Sequence, residues 1–157
     1  MKKIKPKTPI NEVRRNINND NRKEKNLILF CNPNGMIYQL FTPERFLFLL
    51  EGGCDILFWN YRGYGYSTGY STFKNAKTDL IELFDYIHKK GIYKKYGAYG
   101  YSVGGGSATF LSKNRKLDVL IADRNFMNIN EIANNISIFG GILSFLAKML
   151  FFKYDYN

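Results

Sequence analysis

A serine between two glycines is the first group in this sequence whose type and spacing suggest chemistry. Gly100-Tyr101-Ser102-Val103-Gly104 has the form G-x-S-x-G and lies where an apolar run gives way to a helical pattern. In such a turn the serine backbone is strained and the flanking chain segments come close together, so the residues two before and two after it must be small. We interpret Ser102 as a nucleophile. The alternative is an ordinary glycine-rich turn between a strand and a helix.

A nucleophilic serine needs donors for the negative charge that develops on the carbonyl oxygen it attacks. The backbone N–H of Val103, directly after the serine, is one predicted donor. The loop Asn32-Pro33-Asn34-Gly35 follows an earlier apolar run, and we expect the backbone of Asn34 and Gly35 to supply the other. The alternative for this loop is a plain turn built on its proline and glycine.

Four short apolar runs alternate with helical patterns and would position these groups. Such runs are typical of strands that are covered on both faces. They span residues 27–31, 55–59, 96–101 and 119–122. The clearest helical pattern between them has one apolar face, formed by Ala76, Leu80, Leu83, Phe84 and Ile87. Alternation of strands and helices favours right-handed βαβ units, so we predict an α/β fold with a parallel sheet of about four strands and helices on both faces.

The two ends of the chain differ from this core, residues 27–127. Residues 1–26 hold nine of the 23 basic residues, and we predict a basic polar tail. Because the net charge of +10 is concentrated there, we expect no nucleic-acid partner, although a patch for acidic lipid or RNA is the alternative. Residues 128–157 form an apolar helical segment, predicted to pack on the sheet or over a pocket. It is too short and too interrupted to span a membrane, and interfacial attachment is the alternative.

The sequence offers no pattern for a cofactor or a metal. Cys31 and Cys54 each fall in a strand pattern, and we expect core thiols, which suits a reducing compartment. No Cys and His spacing fits zinc. Thr68 stands where G-x-G-x-x-G needs its last glycine, and residues 100–106 lack the Lys-Ser/Thr ending of a phosphate-binding loop. No secretory signal is evident, so we expect an intracellular protein, either cytoplasmic or peripherally membrane-associated.

Four segments of this chain, in this order, resemble the α/β-hydrolase superfamily. They are residues 30–35, 59–69, 100–105 and 121–126. The nearest branch is the intracellular, often membrane-associated one of the protein depalmitoylases and relatives of the serine peptidases. The resemblance covers about residues 27–127, with Asn32-Pro33 in place of the family's common His-Gly pair. It implies that the four strands are the third to sixth of eight, so that the chain is a partial domain with strands in spatial order second, first, third, fourth.

The resemblance also implies an acid and then a histidine after the serine. The single histidine, His88, precedes Ser102, and its helix should carry it to the opposite edge of the sheet, about 20 Å away at 1.5 Å per residue. Asp123 ends the fourth strand, where we interpret it as a carboxylate that holds the next loop or pairs with Arg124. The alternative is a catalytic acid.

Three hypotheses follow. The first is a serine hydrolase that cleaves an ester, thioester or amide of a small-molecule, acylated or peptide substrate, with an acid and histidine supplied by downstream sequence or another chain. The second is an inert hydrolase fragment or a non-enzymatic binding scaffold. The third is a peripheral membrane protein that uses the basic tail and the apolar segment after Asn134. The residues specify neither the acyl substrate nor an oligomeric state.

Overall fold

The computed structural model describes Val13–Arg14 and residues 24–124. The strands are β1 Val13–Arg14, β2 Asn26–Cys31, β3 Cys54–Phe58, β4 Lys95–Tyr101 and β5 Val119–Asp123. The helices are α1 Leu47–Glu51, α2 Phe73–His88 and α3 Gly104–Asn114, with 3-10 turns at Tyr38–Leu40 and Pro43–Phe46. The predicted apolar segment 128–157 and most of the predicted tail 1–26 lie outside the described residues.

One sheet joins these strands in the order β1-β3-β2-β4-β5. The pairs β3–β2, β2–β4 and β4–β5 are parallel, so the predicted parallel strands and their spatial order are confirmed. In the parallel register Cys31 lies opposite Gly100, and Tyr101 lies opposite Asp123. The carboxyl ends of β2, β4 and β5 therefore meet at the same edge of the sheet, where Ser102 follows β4.

A short antiparallel strand, β1, was not predicted. Val13 lies opposite Leu57, and Arg14 lies opposite Ile56 on β3. The backbone of Val13–Arg14, within the predicted tail, therefore pairs with the sheet, and the tail itself stays a prediction. Two residues in a polar sequence rich in asparagine carry no alternating pattern, so the sequence gives no signal for this strand.

The sheet has a buried core on each face because successive side chains of a strand point to opposite sides. On one face, alternate strand residues pack against α2 and α3: the strands contribute Leu27, Leu29, Leu57 and Ala98, and the helices contribute Leu80, Leu83 and Leu111. The other face packs against the 3-10 turn and α1, and it includes Ile28, Phe30, Ile56, Phe58, Phe46 and Leu49. Helices on both faces are thus confirmed.

The helix boundaries follow local chemistry. The hydroxyl oxygen of Thr72 accepts a hydrogen bond from the Asn75 amide at 3.0 Å and caps α2. Gly91, with φ +61°, lies three residues after the helix ends. Before α1, the chain from Pro43 forms a 3-10 turn, and the Thr42 side chain makes no cap hydrogen bond there.

Both cysteines are thiols, Cys31 buried and Cys54 half-buried. Burial raises the pKa of Cys31 to about 12, although a contact with Trp59 acts to lower it. We expect iodoacetamide at pH 8 to alkylate Cys54 at least about a hundredfold faster than Cys31, because thiolate is the reactive form and a buried thiol is almost fully protonated. Mass spectrometry of timed digests checks this, and Cys54→Ser should leave one slow site. Equal rates for the two thiols would contradict the burial of Cys31.

Candidate active site at the carboxyl edge of the sheet

Ser102 lies in the turn between β4 and α3 with a left-handed backbone, φ +54°. A non-glycine residue in this region costs on the order of 1–3 kcal/mol and persists only where its surroundings impose it. Here hydrogen bonds hold both sides of the residue. The Ser102 amide donates to the Asp123 carbonyl at 2.9 Å, and the Gly105 amide donates to the Ser102 carbonyl at 2.9 Å. The turn is therefore fixed by β5 on one side and by α3 on the other.

The glycines on either side of the turn are at points of close backbone approach. A Cβ at Gly100 would lie 2.4 Å from the Cα of Gly105. A Cβ at Gly104 would lie 2.1 Å from the carbonyl oxygen of Cys31. These distances explain the G-x-S-x-G spacing physically, because β4 must pass the start of α3 and α3 must start against the end of β2.

The predicted oxyanion donors lie at the ends of neighbouring strands. Val103 has helical dihedrals, φ −56° and ψ −32°, at the start of α3, and within residues 24–124 its amide has no hydrogen-bond acceptor. Asn34 and Gly35 form a turn after β2, the strand next to β4, and Gly35 has φ +73°. The Gly35 amide donates to the Tyr64 hydroxyl at 3.3 Å, and that hydroxyl donates to Asn34 Oδ1 at 2.9 Å. One of the predicted donors is thus already engaged by a tyrosine.

Two buried asparagines support the turn after β2. Asn32 Nδ2 donates to the Trp59 carbonyl at 2.7 Å, and the Tyr61 hydroxyl donates to the Asn32 carbonyl at 2.8 Å. Asn60 Oδ1 accepts from the Tyr38 amide at 2.9 Å. Sequence reasoning did not assign these roles. The available signal was that an asparagine directly follows the apolar run of both β2 and β3, at the edge where the turns must be held.

The loop between β3 and α2 is anchored by an ion pair that sequence reasoning also missed. Arg62 Nε donates to both carboxylate oxygens of Asp79, at 2.8 and 3.0 Å, and the Asp79 side chain is only 5% exposed. Within the loop, the Gly63 amide donates to the Ser67 carbonyl at 2.9 Å. A Cβ at Gly63 would lie 2.9 Å from the carbonyl oxygen of Gly69. The glycine-rich segment is therefore a folded loop fastened to α2.

His88 lies at the opposite edge of the sheet from Ser102, as predicted. It is the exposed last residue of α2, stacked on Phe84 with ring centroids 5.5 Å apart. Its ring is also 4.9 Å from that of Tyr96, near the start of β4. Since Ser102 follows Tyr96 by six positions along an extended strand, His88 is about 20 Å from the serine at about 3.3 Å per position. It is far outside hydrogen-bond reach.

Asp123 lies beside the turn, and its carboxylate already has partners. Its Oδ2 accepts a hydrogen bond from the Tyr99 hydroxyl at 2.8 Å. Burial and this bond raise the pKa of Tyr99. Arg124 Nε lies 3.9 Å from Oδ1, which agrees with the predicted pairing, and Arg45 Nη2 lies 3.8 Å from Oδ2. Arg45 is a contact that the sequence did not indicate.

Neither a metal cluster nor a membrane-spanning helix is found in the part of the chain that the structure describes. There, no three His, Cys, Asp or Glu side chains come together closely enough to hold a metal ion. No helix in the same part has both the length and the apolar character needed to cross a bilayer.

Comparisons with known proteins place the fold. No family model matches the chain. It is 29% identical over 120 residues to an uncharacterised membrane protein of Saccharomyces cerevisiae, an alignment that covers 74% of this chain and 42% of the yeast protein. A crystal structure from Agrobacterium tumefaciens, of a protein of unknown function described as an α/β-hydrolase, aligns with a TM-score of 0.54 and 19% identity over 64% of this chain and 50% of that one. An esterase from Exiguobacterium antarcticum aligns with a TM-score of 0.49 and 22% identity over 65% of this chain and 38% of the esterase.

This chain therefore has an α/β-hydrolase-like fold, which confirms the predicted fold class. It spans less than half of the yeast relative and half of the Agrobacterium structure.

Proposed function

We propose that Ser102 is the nucleophile of a serine hydrolase that cleaves an ester, thioester or amide bond by acyl transfer. The observation that carries this proposal is the left-handed backbone of Ser102, φ +54°, at the carboxyl end of a parallel strand. Ordinary turns place glycine or asparagine in this conformation. A serine there, held between glycines that admit no side chain, fits a turn whose purpose is to present a hydroxyl.

In the proposed reaction, Ser102 Oγ attacks the substrate carbonyl and the amide of Val103 stabilises the resulting oxyanion. The turn Asn34-Gly35 supplies the second donor. Because the Gly35 amide now donates to the Tyr64 hydroxyl, a substrate oxygen would displace that hydroxyl. The N-terminus of α3, which begins two residues after the serine, adds the partial positive charge of its aligned peptide dipoles.

The general base is the part of the mechanism that these residues do not supply. His88 is about 20 Å from Ser102, by the strand rise given above, and no other histidine occurs in the sequence. We propose that the histidine and its acid come from further sequence or from another chain. We propose a small-molecule, acylated or peptide substrate and an intracellular location, either cytoplasmic or peripherally membrane-associated, as the resemblance to the depalmitoylase branch implies.

The second candidate function is an inert binding scaffold, and the position of His88 favours it. Without a base, the serine loses several powers of ten in reactivity. A chain that kept the fold and lost catalysis would preserve the turn and the sheet edge as a binding surface.

Labelling with an uncharged fluorophosphonate separates the two candidates. We expect the full chain to be labelled over hours at saturating probe, slowly because the base is missing, and Ser102→Ala to abolish the labelling. Ser112→Ala is the matched control: its half-buried hydroxyl bonds the Thr109 carbonyl in α3, so its removal should leave labelling unchanged. A folded chain that takes no label would favour the scaffold, and a label that survives Ser102→Ala would exclude Ser102 as the nucleophile.

A further inference from the structure

Two arginines converge on Tyr101, the residue directly before Ser102. The guanidinium carbon of Arg45 lies 4.1 Å from the ring centroid of Tyr101. That of Arg124 lies 5.7 Å from the same centroid, and Arg124 Nη1 donates to the Tyr101 hydroxyl at 3.1 Å. Stacking on the Tyr101 ring restricts the Arg45 guanidinium, and the hydrogen bond that Arg124 donates to the Tyr101 hydroxyl restricts the Arg124 guanidinium.

The carboxylate between these arginines does not satisfy them. Asp123 lies 3.8 Å from Arg45 and 3.9 Å from Arg124, which is beyond hydrogen-bond distance, and it accepts its bond from Tyr99 instead. Two positive charges thus face one negative charge.

Other arginines of this chain are paired differently. Arg62 binds Asp79 through two nitrogens, and Arg115 binds Asp85 through two bonds of 2.6 Å. A guanidinium has five N–H donors, and two of them can bind the two oxygens of a carboxylate or phosphate at once. Of the arginines within residues 24–124, Arg45 and Arg124 are the two that do not bind a carboxylate through two hydrogen bonds.

The backbone of Arg124 gives a second, independent observation. Arg124 has φ +51°, and among the described residues it and Ser102 are the only non-glycine residues with a left-handed backbone. They are neighbours across β4 and β5, because the Ser102 amide donates to the carbonyl of Asp123. Strained backbone of this kind clusters at functional sites. The strain at Arg124 is therefore part of the same site as the strain at Ser102.

The local field already favours an anion at this place. The pKa of the Tyr101 hydroxyl is lowered from its ordinary value by its interactions first with Arg45 and then with Arg124. A negatively charged oxygen is thus stabilised next to the serine turn. Arg124 is 74% exposed, so a ligand from solvent can reach its guanidinium.

We infer that Arg45 and Arg124 form an anion-binding subsite beside Ser102, which takes a carboxylate or phosphate group of the substrate. That the anionic group belongs to a substrate rests on the proposed hydrolase function. The subsite lies on the face of the sheet that packs against α1, since Tyr101 and Arg45 contact the core of that face. The substrate class is therefore an acyl compound or ester with an anionic group a short distance from the bond that is cleaved.

The test compares two small esters of the same shape and one inorganic anion. Monomethyl succinate carries a carboxylate, methyl levulinate replaces it with a neutral ketone, and inorganic phosphate supplies the other oxyanion. Binding to the full chain is measured by NMR titration at low ionic strength. We expect monomethyl succinate to bind about tenfold more tightly than methyl levulinate, because two charge-assisted contacts are lost with the neutral group. If inorganic phosphate displaces monomethyl succinate, the subsite binds both carboxylates and phosphate. If it does not, the subsite binds carboxylates only.

Arginine variants supply the controls. Arg45→Met and Arg124→Met each remove one of the two contacts and should each weaken monomethyl succinate about threefold, while methyl levulinate is unchanged. Arg115→Met removes the same charge at the far end of α3 and should change neither. Equal affinity for the two esters, or equal weakening by Arg115→Met, overturns the inference. Circular dichroism confirms that each variant is folded.

Parallel labelling with the uncharged fluorophosphonate keeps the two proposals apart. If Ser102 is labelled but the chain does not prefer the anionic ester, the subsite proposal is wrong and the hydrolase proposal stands. If the anion binds through the arginines but Ser102 takes no label, the hydrolase proposal is wrong and the chain is a scaffold with an anion site.

Discussion

Replacing Gly104 by alanine is expected to lower the free energy of unfolding by about 3 kcal/mol. The added Cβ would lie 2.1 Å from the carbonyl oxygen of Cys31 and 2.7 Å from that of Asn32. Both contacts are backbone atoms at the end of a central strand, so no side chain can turn aside to relieve them. Either α3 moves away from the sheet or β2 is distorted, and each result disturbs the turn at Ser102.

Gly106→Ala is the matched control for this prediction because it lies in the same helix. Its added Cβ would lie 2.8 Å from the far end of the Phe73 ring, which can rotate, while alanine is a better helix former than glycine by up to about 1 kcal/mol. Urea unfolding followed by circular dichroism measures both variants. A loss of stability at Gly104 no larger than that at Gly106 would mean that α3 does not start against β2 as described.

Replacing Arg62 by methionine is expected to cost about 2–3 kcal/mol of unfolding free energy. The change leaves the Asp79 carboxylate, 5% exposed on α2, without its bidentate partner, and an unpaired buried charge is much more costly than a removed pair. This is less than the roughly 3–5 kcal/mol that a fully buried pair costs when one partner is removed, because the arginine itself is 31% exposed and water reaches it.

A double variant distinguishes this cause from simple loss of packing. Arg62→Met combined with Asp79→Leu removes both charges, and we expect it to recover most of the lost stability. Arg115→Met, which breaks an exposed ion pair with Asp85, should have a smaller effect than Arg62→Met. If the double variant is as unstable as the single one, the loop between β3 and α2 depends on the shape of Arg62 and not on its charge.

The strands β2, β3 and β4 could be predicted to within about one residue because most of their residues are buried and so form short apolar runs. A strand such as β2, Asn26–Cys31, has no solvent face and so reads as an unbroken apolar run. The serine turn could be located for a related reason. Gly100 and Gly104 are required by backbone contacts between neighbouring elements, and such contacts impose a residue type at a fixed spacing.

The supporting polar contacts could not be predicted because they join residues distant in sequence. Asn32 and Trp59 are 27 residues apart, and Tyr99 and Asp123 are 24 apart. Each of these polar residues looks like an ordinary loop or strand-end residue until the parallel register brings its partner alongside. The convergence of Arg45 and Arg124 on Tyr101 is hidden in the same way, since it depends on a 3-10 turn, a central strand and the end of β5 meeting at one edge.

The hydrogen bond from the Ser102 amide to the Asp123 carbonyl makes the backbone conformation of Ser102 depend on whether β5 stays paired with β4. β5 pairs only with β4 among the described strands, and Val119 and Leu120 are 44% and 40% exposed. A strand with one neighbour frays more readily than a central one. Each time its last residue detaches, the serine loses the restraint that keeps it left-handed and can relax to a backbone that no longer presents the hydroxyl. The pairing of β5 therefore determines the fraction of time during which Ser102 keeps its left-handed backbone.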